Sequence, residues 1–179
     1  MEINKLAIVF QSHKQKRLLL KTTILPYRNF MEGYYSTEIR KDNELIGYNI
    51  NFINGETIEF ARKDFTGKLS FLKYAIKDES FDKITQKIQQ LIKTSHKIIV
   101  IEIGAMFIMK IEFIQNLLKI LSTDKKMIIF LPKNKEILQT IKNLDDSFMM
   151  ELTKKDLKSI KKAVDKWLGA LISRIEINE

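Results

Sequence analysis

The sequence predicts an α/β fold, in which a mostly parallel sheet is covered by helices on both faces. Short apolar runs alternate with stretches whose apolar residues recur every three or four positions. Strands that alternate with helices in this way are typical of parallel sheets. One aromatic and β-branched stretch interrupts the alternation and predicts an inserted antiparallel hairpin. No repeat or linker is visible, so residues 1–179 are expected to form a single domain.

The first two elements predict the opening of a βαβ unit. Residues 5–10 form an apolar run that suits a buried strand, and a polar turn follows it. Residues 14–25 are expected to form a helix. Pro26 is expected to end that helix, because proline lacks an amide hydrogen and clashes with the preceding turn.

The next stretch predicts an antiparallel meander. Residues 33–40 are rich in aromatic and β-branched side chains, and residues 44–53 alternate between apolar and polar. Asn54-Gly55 predicts a type I′ turn, because both residues tolerate positive φ. Residues 56–62 then form the returning strand, and 69–76 are expected to add a short strand.

The remainder returns to alternating helices and strands. Ser80 is expected to cap a helix that runs to about residue 93, and Thr153 to cap the last helix. Between them the pattern predicts strands at 97–102, 126–131 and 148–152 and helices from about 110 and over 135–142.

Composition narrows the classes of protein. The chain carries a net charge of +9 and no cysteine, so disulfides and thiolate metal sites are excluded. The apolar run near the start is too short for a signal peptide, and charged residues interrupt the longest apolar region. A cytoplasmic protein without a membrane contact is therefore expected. Residues 13–28 contain five cations and no acid, which predicts either an anion site or a solvated helix face.

Two features point to phosphate chemistry at one edge of the sheet. Glu102 ends a buried strand, and ligands of open parallel sheets sit beyond the carboxyl ends of the strands. After the first strand, residues 10–17 place Lys16 on the lysine of the pattern GxxxxGK[ST], although both glycines and the hydroxyl are replaced. The candidate phosphate-binding residues lie at the start of the first helix: Ser12, His13, Lys14, Gln15, Lys16 and Arg17.

Other motifs are weaker. His13 and His96 have no acid or cysteine at ligand spacing, so no metal site is expected. Tyr34, Tyr35 and Tyr48, beside Arg40, are consistent either with stacking of a base or with strand packing. Trp167 lies on the apolar stripe of the last helix, which favours a place in the core.

Taken along its length, the chain resembles the small single-domain P-loop nucleoside-triphosphatase family of archaea, bacteria and animals. Residues 33–40 are similar to the family's GFYTEEVR strand, 46–50 to its GF-x-I strand and 73–76 to its GKY-x-V segment. Phe81 matches the phenylalanine that starts the next helix. Residues 99–107 resemble IVIDEIGKME, and Glu112-Phe113 fit the helix beyond it. The resemblance implies a P-loop NTPase-like sheet.

The chain departs from the family pattern at the positions that bind Mg²⁺ and phosphate in the family. Ile101 stands where the family has the aspartate that helps to hold Mg²⁺, whereas Glu102 matches the glutamate expected to orient water. Arg17 replaces the hydroxyl that also binds Mg²⁺. Ala105 and Phe107 replace the lysine and glutamate that follow the family's glycine. The resemblance therefore implies a family fold with a degenerate site.

The expected function is that of a degenerate homologue that binds a nucleotide or a protein partner without hydrolysis. The expected ligand is ATP or GTP bound without Mg²⁺, and no other cofactor is expected. One alternative is a weakly active nucleoside triphosphatase that uses Lys16 and Glu102. A second alternative is a basic nucleic-acid-binding protein, which is less favoured because no recognisable module is present.

Overall fold

A computed structural model describes residues 2–177, with side chains up to residue 174. The strands are β1 (Lys5–Phe10), β2 (Met31–Lys41), β3 (Glu44–Phe52), β4 (Thr57–Arg62), β5 (Leu69–Phe71), β6 (Tyr74–Ile76), β7 (Ile98–Glu102), β8 (Met127–Pro132) and β9 (Ser147–Leu152). The α-helices are α1 (His13–Leu19), α2 (Asp78–Thr94), α3 (Ile111–Leu121), α4 (Lys135–Lys142) and α5 (Leu157–Ile177). Short helical segments of other types occupy Leu20–Ile24, Leu25–Phe30 and Phe107–Met109.

All nine strands join one sheet in the order β5-β6-β4-β3-β2-β7-β8-β1-β9. The five neighbouring strands β2, β7, β8, β1 and β9 are parallel to one another. Their register pairs Phe10 with Pro132 and Glu102 with Phe130. The carboxyl ends of β1, β7 and β8 therefore meet at one edge, beside α1. This arrangement confirms the predicted α/β fold with its mostly parallel sheet and antiparallel insertion.

The antiparallel part is larger than one hairpin. β2 runs past the parallel sheet and pairs with β3, and β4, β6 and β5 extend the same sheet. The predicted strand at residues 69–76 is two strands joined by a tight turn. Leu72 in that turn has φ 54° and is 84% exposed.

Side chains alternate across the parallel strands and form two cores. Leu6 and Ile8 on β1 pack under α1 and α5, whereas Ala7 and Val9 pack under α2, α3 and α4. The central strands are buried on both faces, which explains why they read as continuous apolar runs. No described helix is long and apolar enough to cross a membrane.

The segment predicted as a helix over 14–25 is helical, but only its first half is α-helix. α1 ends at Leu19, a π-helical turn follows, and a 3₁₀ helix continues to Phe30. Pro26 does not end this segment but lies in the first turn of the 3₁₀ helix. Proline is tolerated there because the first amides of a helix have no partner within it.

The predicted type I′ turn at Asn54-Gly55 is also wrong. Only Gly55 has a positive φ, of 102°, and the amide of Gly55 donates to the carbonyl of Phe52 at 3.0 Å. A three-residue hairpin loop with glycine at its last position fits these observations. The two-residue turn with positive φ at both positions is instead Asp42-Asn43, at 48° and 63°.

Two predicted helix caps are wrong. Lys77 precedes the first residue of α2, and the Ser80 hydroxyl donates to the Glu59 carbonyl at 2.7 Å, so Ser80 ties the helix to β4. Thr153 lies in a turn before α5, where its hydroxyl accepts from the Asp156 amide at 3.3 Å. The Asp156 carbonyl accepts the first helical bond, from Ile160.

Candidate functional site

Three side chains from three elements meet at the carboxyl edge of the parallel strands. Glu102 ends β7 on the sheet face that α1 covers, Lys16 lies on α1, and Ser36 lies on the neighbouring β2. The Lys16 Nζ is 2.7 Å from Glu102 Oε2. The two predicted residues, Lys16 and Glu102, are therefore brought together, and Ser36 joins them.

Every polar atom of this cluster has a partner within it. Glu102 Oε2 accepts from Lys16 and from the Ser36 amide at 2.7 Å, and Oε1 accepts from the Ser36 hydroxyl at 2.6 Å. The Lys16 Nζ also contacts the Ser36 carbonyl at 2.9 Å and hydroxyl at 3.2 Å. The side chains of Lys16 and Glu102 are only 1% and 3% exposed. The ammonium and the carboxylate are therefore hydrogen-bonded directly to each other.

The cation run at the start of α1 divides into buried and exposed members. Ser12 caps the helix by accepting from the Gln15 amide at 3.4 Å, and Gln15 is half-buried. Lys14 and Arg17 are exposed, whereas Lys16 is buried. Four of the six predicted phosphate-binding residues line a common cavity, and Ser12 and Gln15 do not.

That cavity has a volume of about 520 Å³ and opens beside the buried pair. It is lined by His13, Lys14, Lys16, Arg17, Ser36, Thr37, Glu38 and Arg40. The sequence patterns did not single out Ser36 or Glu38 as site residues, and they named Arg40 only as a neighbour of the candidate stacking tyrosines. All three lie in the stretch 33–40, whose polar residues between aromatic ones are the signal that was available.

His13 is held in an apolar setting. Its ring packs against Phe10 and Tyr48, with centroid separations of 5.2 and 5.8 Å, and its Nδ1 atom is buried without a hydrogen-bond partner. Burial first, and the nearby Lys16 ammonium second, lower the pKa of His13 below its ordinary value of 6.5. The imidazole is therefore neutral at pH 7 and does not add a charge to the cavity.

A second, mostly apolar cavity of about 190 Å³ lies on the other side of Glu102. Phe60, Phe71, Met106 and Phe107 contribute to its wall. Phe107 is one of the residues that departs from the family pattern, and it stacks on Phe60 with a centroid separation of 4.9 Å. The positions that carry charge in the family sequence thus contribute here to an apolar wall.

The three tyrosines that were candidates for stacking a base occupy different surroundings. Tyr34 is fully buried against Phe52 and Phe107, and burial raises its pKa. Tyr48 is half-buried with its pKa raised to about 12 by burial first, and it lines the apolar cavity. Tyr35 packs in the core beneath α1 and α5. Of these three tyrosines, only Tyr48 lies beside the site.

The residues at this edge do not fit Mg²⁺, which the family chemistry implies. Magnesium prefers oxygen ligands in octahedral geometry, and both Glu102 oxygens already accept from Lys16 and Ser36. Ile101 is buried in the core beneath α2 and α3, and Arg17 is a cation. Among the described residues, no group of three or more metal-ligating side chains occurs.

The strand order and the Lys16–Glu102 edge define the class of this protein as an α/β protein of the P-loop NTPase type. The sequence model of the NTPase family matches residues 22–164, and the chain belongs to this family. The match begins after residues 12–17, so the predicted phosphate-binding residues lie before the matched range.

Relatives and solved structures agree with this assignment. The chain is 27% identical over 130 residues to nucleoside-triphosphatase THEP1 of Thermotoga sp. (strain RQ2), covering 72% of this chain and 75% of that protein. It is 28% identical to THEP1 of Thermotoga maritima, with the same coverage. The crystal structure of THEP1 from Aquifex aeolicus superposes with a TM-score of 0.74 at 21% identity, covering 89% of this chain and 96% of that one. A human cancer-related nucleoside triphosphatase superposes with a TM-score of 0.65 at 15% identity, covering 95% and 98%. The two structural matches show a shared fold.

Proposed function

We propose that this protein binds a nucleotide, ATP or GTP, in the cationic cavity without Mg²⁺ and without hydrolysing it. The observation that carries the proposal is the closed cluster of Lys16, Glu102 and Ser36. A glutamate that orients water needs a carboxylate oxygen free to accept from that water, and in Glu102 Oε2 already accepts two hydrogen bonds and Oε1 accepts one. This geometry supports a binding function over a catalytic one.

The cavity supplies what phosphate binding requires. Its volume of about 520 Å³ lies within the range of small-molecule sites. Lys14 and Arg17 line it, are exposed, and make no ion pair with the side chains described for residues 2–174. Arg40 adds a third cation, held by Glu38 at 2.9 Å. These side chains stand in for the metal by supplying positive charge directly to phosphate oxygens.

Nucleotide-dependent stability tests the proposal. ATP or GTP at one hundred times its dissociation constant adds about 2.7 kcal/mol of stability, which corresponds to about 5 °C or more in melting temperature for a chain of this size. The same shift is expected with Mg²⁺ and with EDTA, and no phosphate is released. Lys14→Gln with Arg17→Gln should remove the shift, whereas Lys93→Gln with Lys119→Gln on α2 and α3 should keep it.

A weakly active triphosphatase is the second candidate, because Lys16 and Glu102 are both present and lie 2.7 Å apart. Binding that opens this pair would release both groups towards the nucleotide. Magnesium-dependent phosphate release that Glu102→Gln abolishes, while circular dichroism shows that variant to be folded, would establish this candidate and overturn the first. Absence of any nucleotide-induced shift would overturn both and leave a protein partner as the expected ligand.

A further inference from the structure

The net charge of the chain is concentrated on one face of the sheet. From residue 154 to 166 the sequence holds six lysines and two aspartates, at the start of α5 and in the turn before it. The lysines are 154, 155, 158, 161, 162 and 166. All except Lys161 are exposed, and none makes an ion pair with another described side chain. Such a row of unpaired cations is a solvated surface that attracts anions.

α1 carries a second row beside the first. Lys14, Arg17 and Lys21 follow the spacing of one helix face and are exposed. α1 follows β1 and α5 follows β9, and these two strands are parallel neighbours. Both helices therefore start at the same edge of the sheet, and they contact each other on the same side. We call these nine cations, on α1 and the turn after it and on the first half of α5 and the turn before it, the α1/α5 face.

The opposite side of the sheet carries almost no net charge. α2, α3 and α4 together contain six lysines and five acids, and several of them pair, as Lys110 does with Asp78 at 3.0 Å at the start of this layer. The abundance of lysine in the chain is therefore not evenly spread. Of these two helical layers, as far as the structure describes them, the α1/α5 face is the one whose cations its own acids do not balance.

We propose that the α1/α5 face binds the phosphate backbone of double-stranded nucleic acid, independently of base sequence. From Lys158 to Lys166, α5 rises about 12 Å, and a duplex presents about three to four phosphates on each strand over that length. The α1 row lies beside the α5 row because the two helices contact each other, and the axes of packed helices are ordinarily roughly 8–10 Å apart. The face therefore offers two adjacent rows of cations to a duplex, both of whose strands carry phosphates.

The side chains on this face suit backbone contacts and not base readout. α5 has one aromatic residue, Trp167, which is half-buried and whose Nε1 donates to the Ile3 carbonyl at 3.1 Å. It is not available to stack an unpaired base, the contact on which single-strand binders depend. Lysine acts as a point charge on phosphate, which positions a protein without reading sequence.

An anionic membrane is the less favoured partner. Helices that bind membranes lay an apolar face into the lipid. The apolar stripe of α5, including Ile160, Val164 and Leu168, is buried against β1 and its neighbours. Without an apolar face to insert, α5 presents charge alone.

The test is binding of a fluorescent 20-base-pair duplex, measured by anisotropy between 50 and 200 mM salt. For about five phosphate contacts, the logarithm of affinity should fall with the logarithm of salt with a slope of about −4.5. Duplex DNA and duplex RNA, each in two unrelated sequences, should bind with similar affinity. Lys158→Glu, Lys162→Glu and Lys166→Glu together should weaken binding at least tenfold at 50 mM salt and make the slope about 2.7 less negative.

The matched control reverses three exposed and unpaired lysines on the opposite side: Lys93→Glu, Lys119→Glu and Lys142→Glu. Its net charge changes by the same amount, yet its affinity should fall less than threefold. Both triple variants are also made with glutamine in place of glutamate, which removes the charges without reversing them. Circular dichroism shows whether each variant is folded. An equal loss in the control, a salt slope that the α5 variants leave unchanged, or no duplex binding at 50 mM salt would overturn the proposal.

Vesicles containing phosphatidylserine provide the competing arm. Sedimentation of the protein with these vesicles while the duplex stays free would overturn the nucleic-acid proposal and assign the face to membranes. The proposal does not depend on nucleotide binding. Because the α5 variants keep Lys14 and Arg17, their stabilisation by ATP or GTP is expected to be unchanged, which separates the two tests.

Discussion

At the scale of single residues, the central feature is the buried ion pair of Lys16 and Glu102. The sequence pattern identified both residues, one as a phosphate-binding lysine and the other as a catalytic acid. Their mutual hydrogen bonds, and those to Ser36, were not visible in the pattern, because the partners lie 86 and 66 positions apart from Glu102 along the chain. The structure turns two separate candidates into one closed cluster.

Removing one member of this pair should destabilise the fold strongly. Lys16→Met leaves the Glu102 carboxylate buried without its cation, and such losses cost about 3–5 kcal/mol. The double variant Lys16→Met with Glu102→Gln removes both charges and should recover at least half of that loss. Urea denaturation followed by circular dichroism measures each free energy of unfolding.

The neighbouring Lys14→Met serves as the control for this cycle. Lys14 is exposed, so its replacement should change the free energy of unfolding by about 0.5 kcal/mol or less. If Lys16→Met proves as mild as Lys14→Met, the pair is not closed in solution and Lys16 is free to meet a ligand.

His13 should make stability depend on pH. Its folded pKa is lowered below 6.5 by burial and then by Lys16, so between the folded and unfolded values the unfolded chain binds more protons. The contribution of His13 is therefore complete above pH 6.5 and is lost as pH falls through its folded pKa. Urea midpoints between pH 7.5 and 5 should fall in the wild type and fall less in His13→Gln.

His96→Gln is the matched control for this measurement. His96 is exposed and lies just before the amino end of β7, whereas the site lies at the carboxyl end. It should leave the pH dependence of the wild type unchanged. A pH dependence that persists in His13→Gln would assign the effect to other groups.

At the scale of elements, Gly33 decides how β2 joins the parallel sheet. It has φ +122°, and a Cβ at this position would lie 1.8 Å from the Val100 carbonyl oxygen. Gly33 pairs with Val100 at the point where β2 leaves β7 and turns towards β3. The close approach allows one strand to serve both the parallel and the antiparallel parts of the sheet.

Gly33→Ala should therefore lower the free energy of unfolding by about 3 kcal/mol or more, through backbone strain and the clash with β7. Gly169→Ala, in α5, meets no atom within 4 Å and should raise it by up to about 1 kcal/mol. Thermal and urea denaturation of the two variants give this comparison. A mild effect of Gly33→Ala would show that β2 and β7 can separate without cost.

The errors in predicted elements share a physical origin. Local patterns placed the strands within one or two residues, because a strand buried on both faces is apolar along its length. They failed at the end of α1 and at Ser80, where the outcome depends on tertiary partners such as the Glu59 carbonyl. The position of the two-residue turn was ambiguous for a different reason: Asp-Asn and Asn-Gly both tolerate positive φ.

At the scale of the whole molecule, the nine-stranded sheet with cores on both faces predicts one cooperative unfolding transition. Trp167 is the sole tryptophan and reports on the core beneath α1 and α5. Far-UV circular dichroism reports on all elements, including the antiparallel strands β3 to β6. The two signals should give the same urea midpoint.

Separate midpoints would contradict this prediction and the expectation of a single domain. If the antiparallel strands unfold first, circular dichroism should show an early step without a change in tryptophan fluorescence. Urea titration in the presence of ATP then tests whether nucleotide stabilises both steps.

The sequence alone determined the α/β class, the order of strands and helices, the family and the positions of Lys16 and Glu102. These follow from local periodicity and short motifs, which a chain carries wherever its elements pack. Only the tertiary structure decided that Lys16 and Glu102 hydrogen-bond to each other, that the His13 ring packs against aromatic side chains, and that the cations of the α1/α5 face lie on the same side of the sheet. Pairing and charge distribution depend on which distant residues become neighbours, and that depends on how the whole sheet assembles.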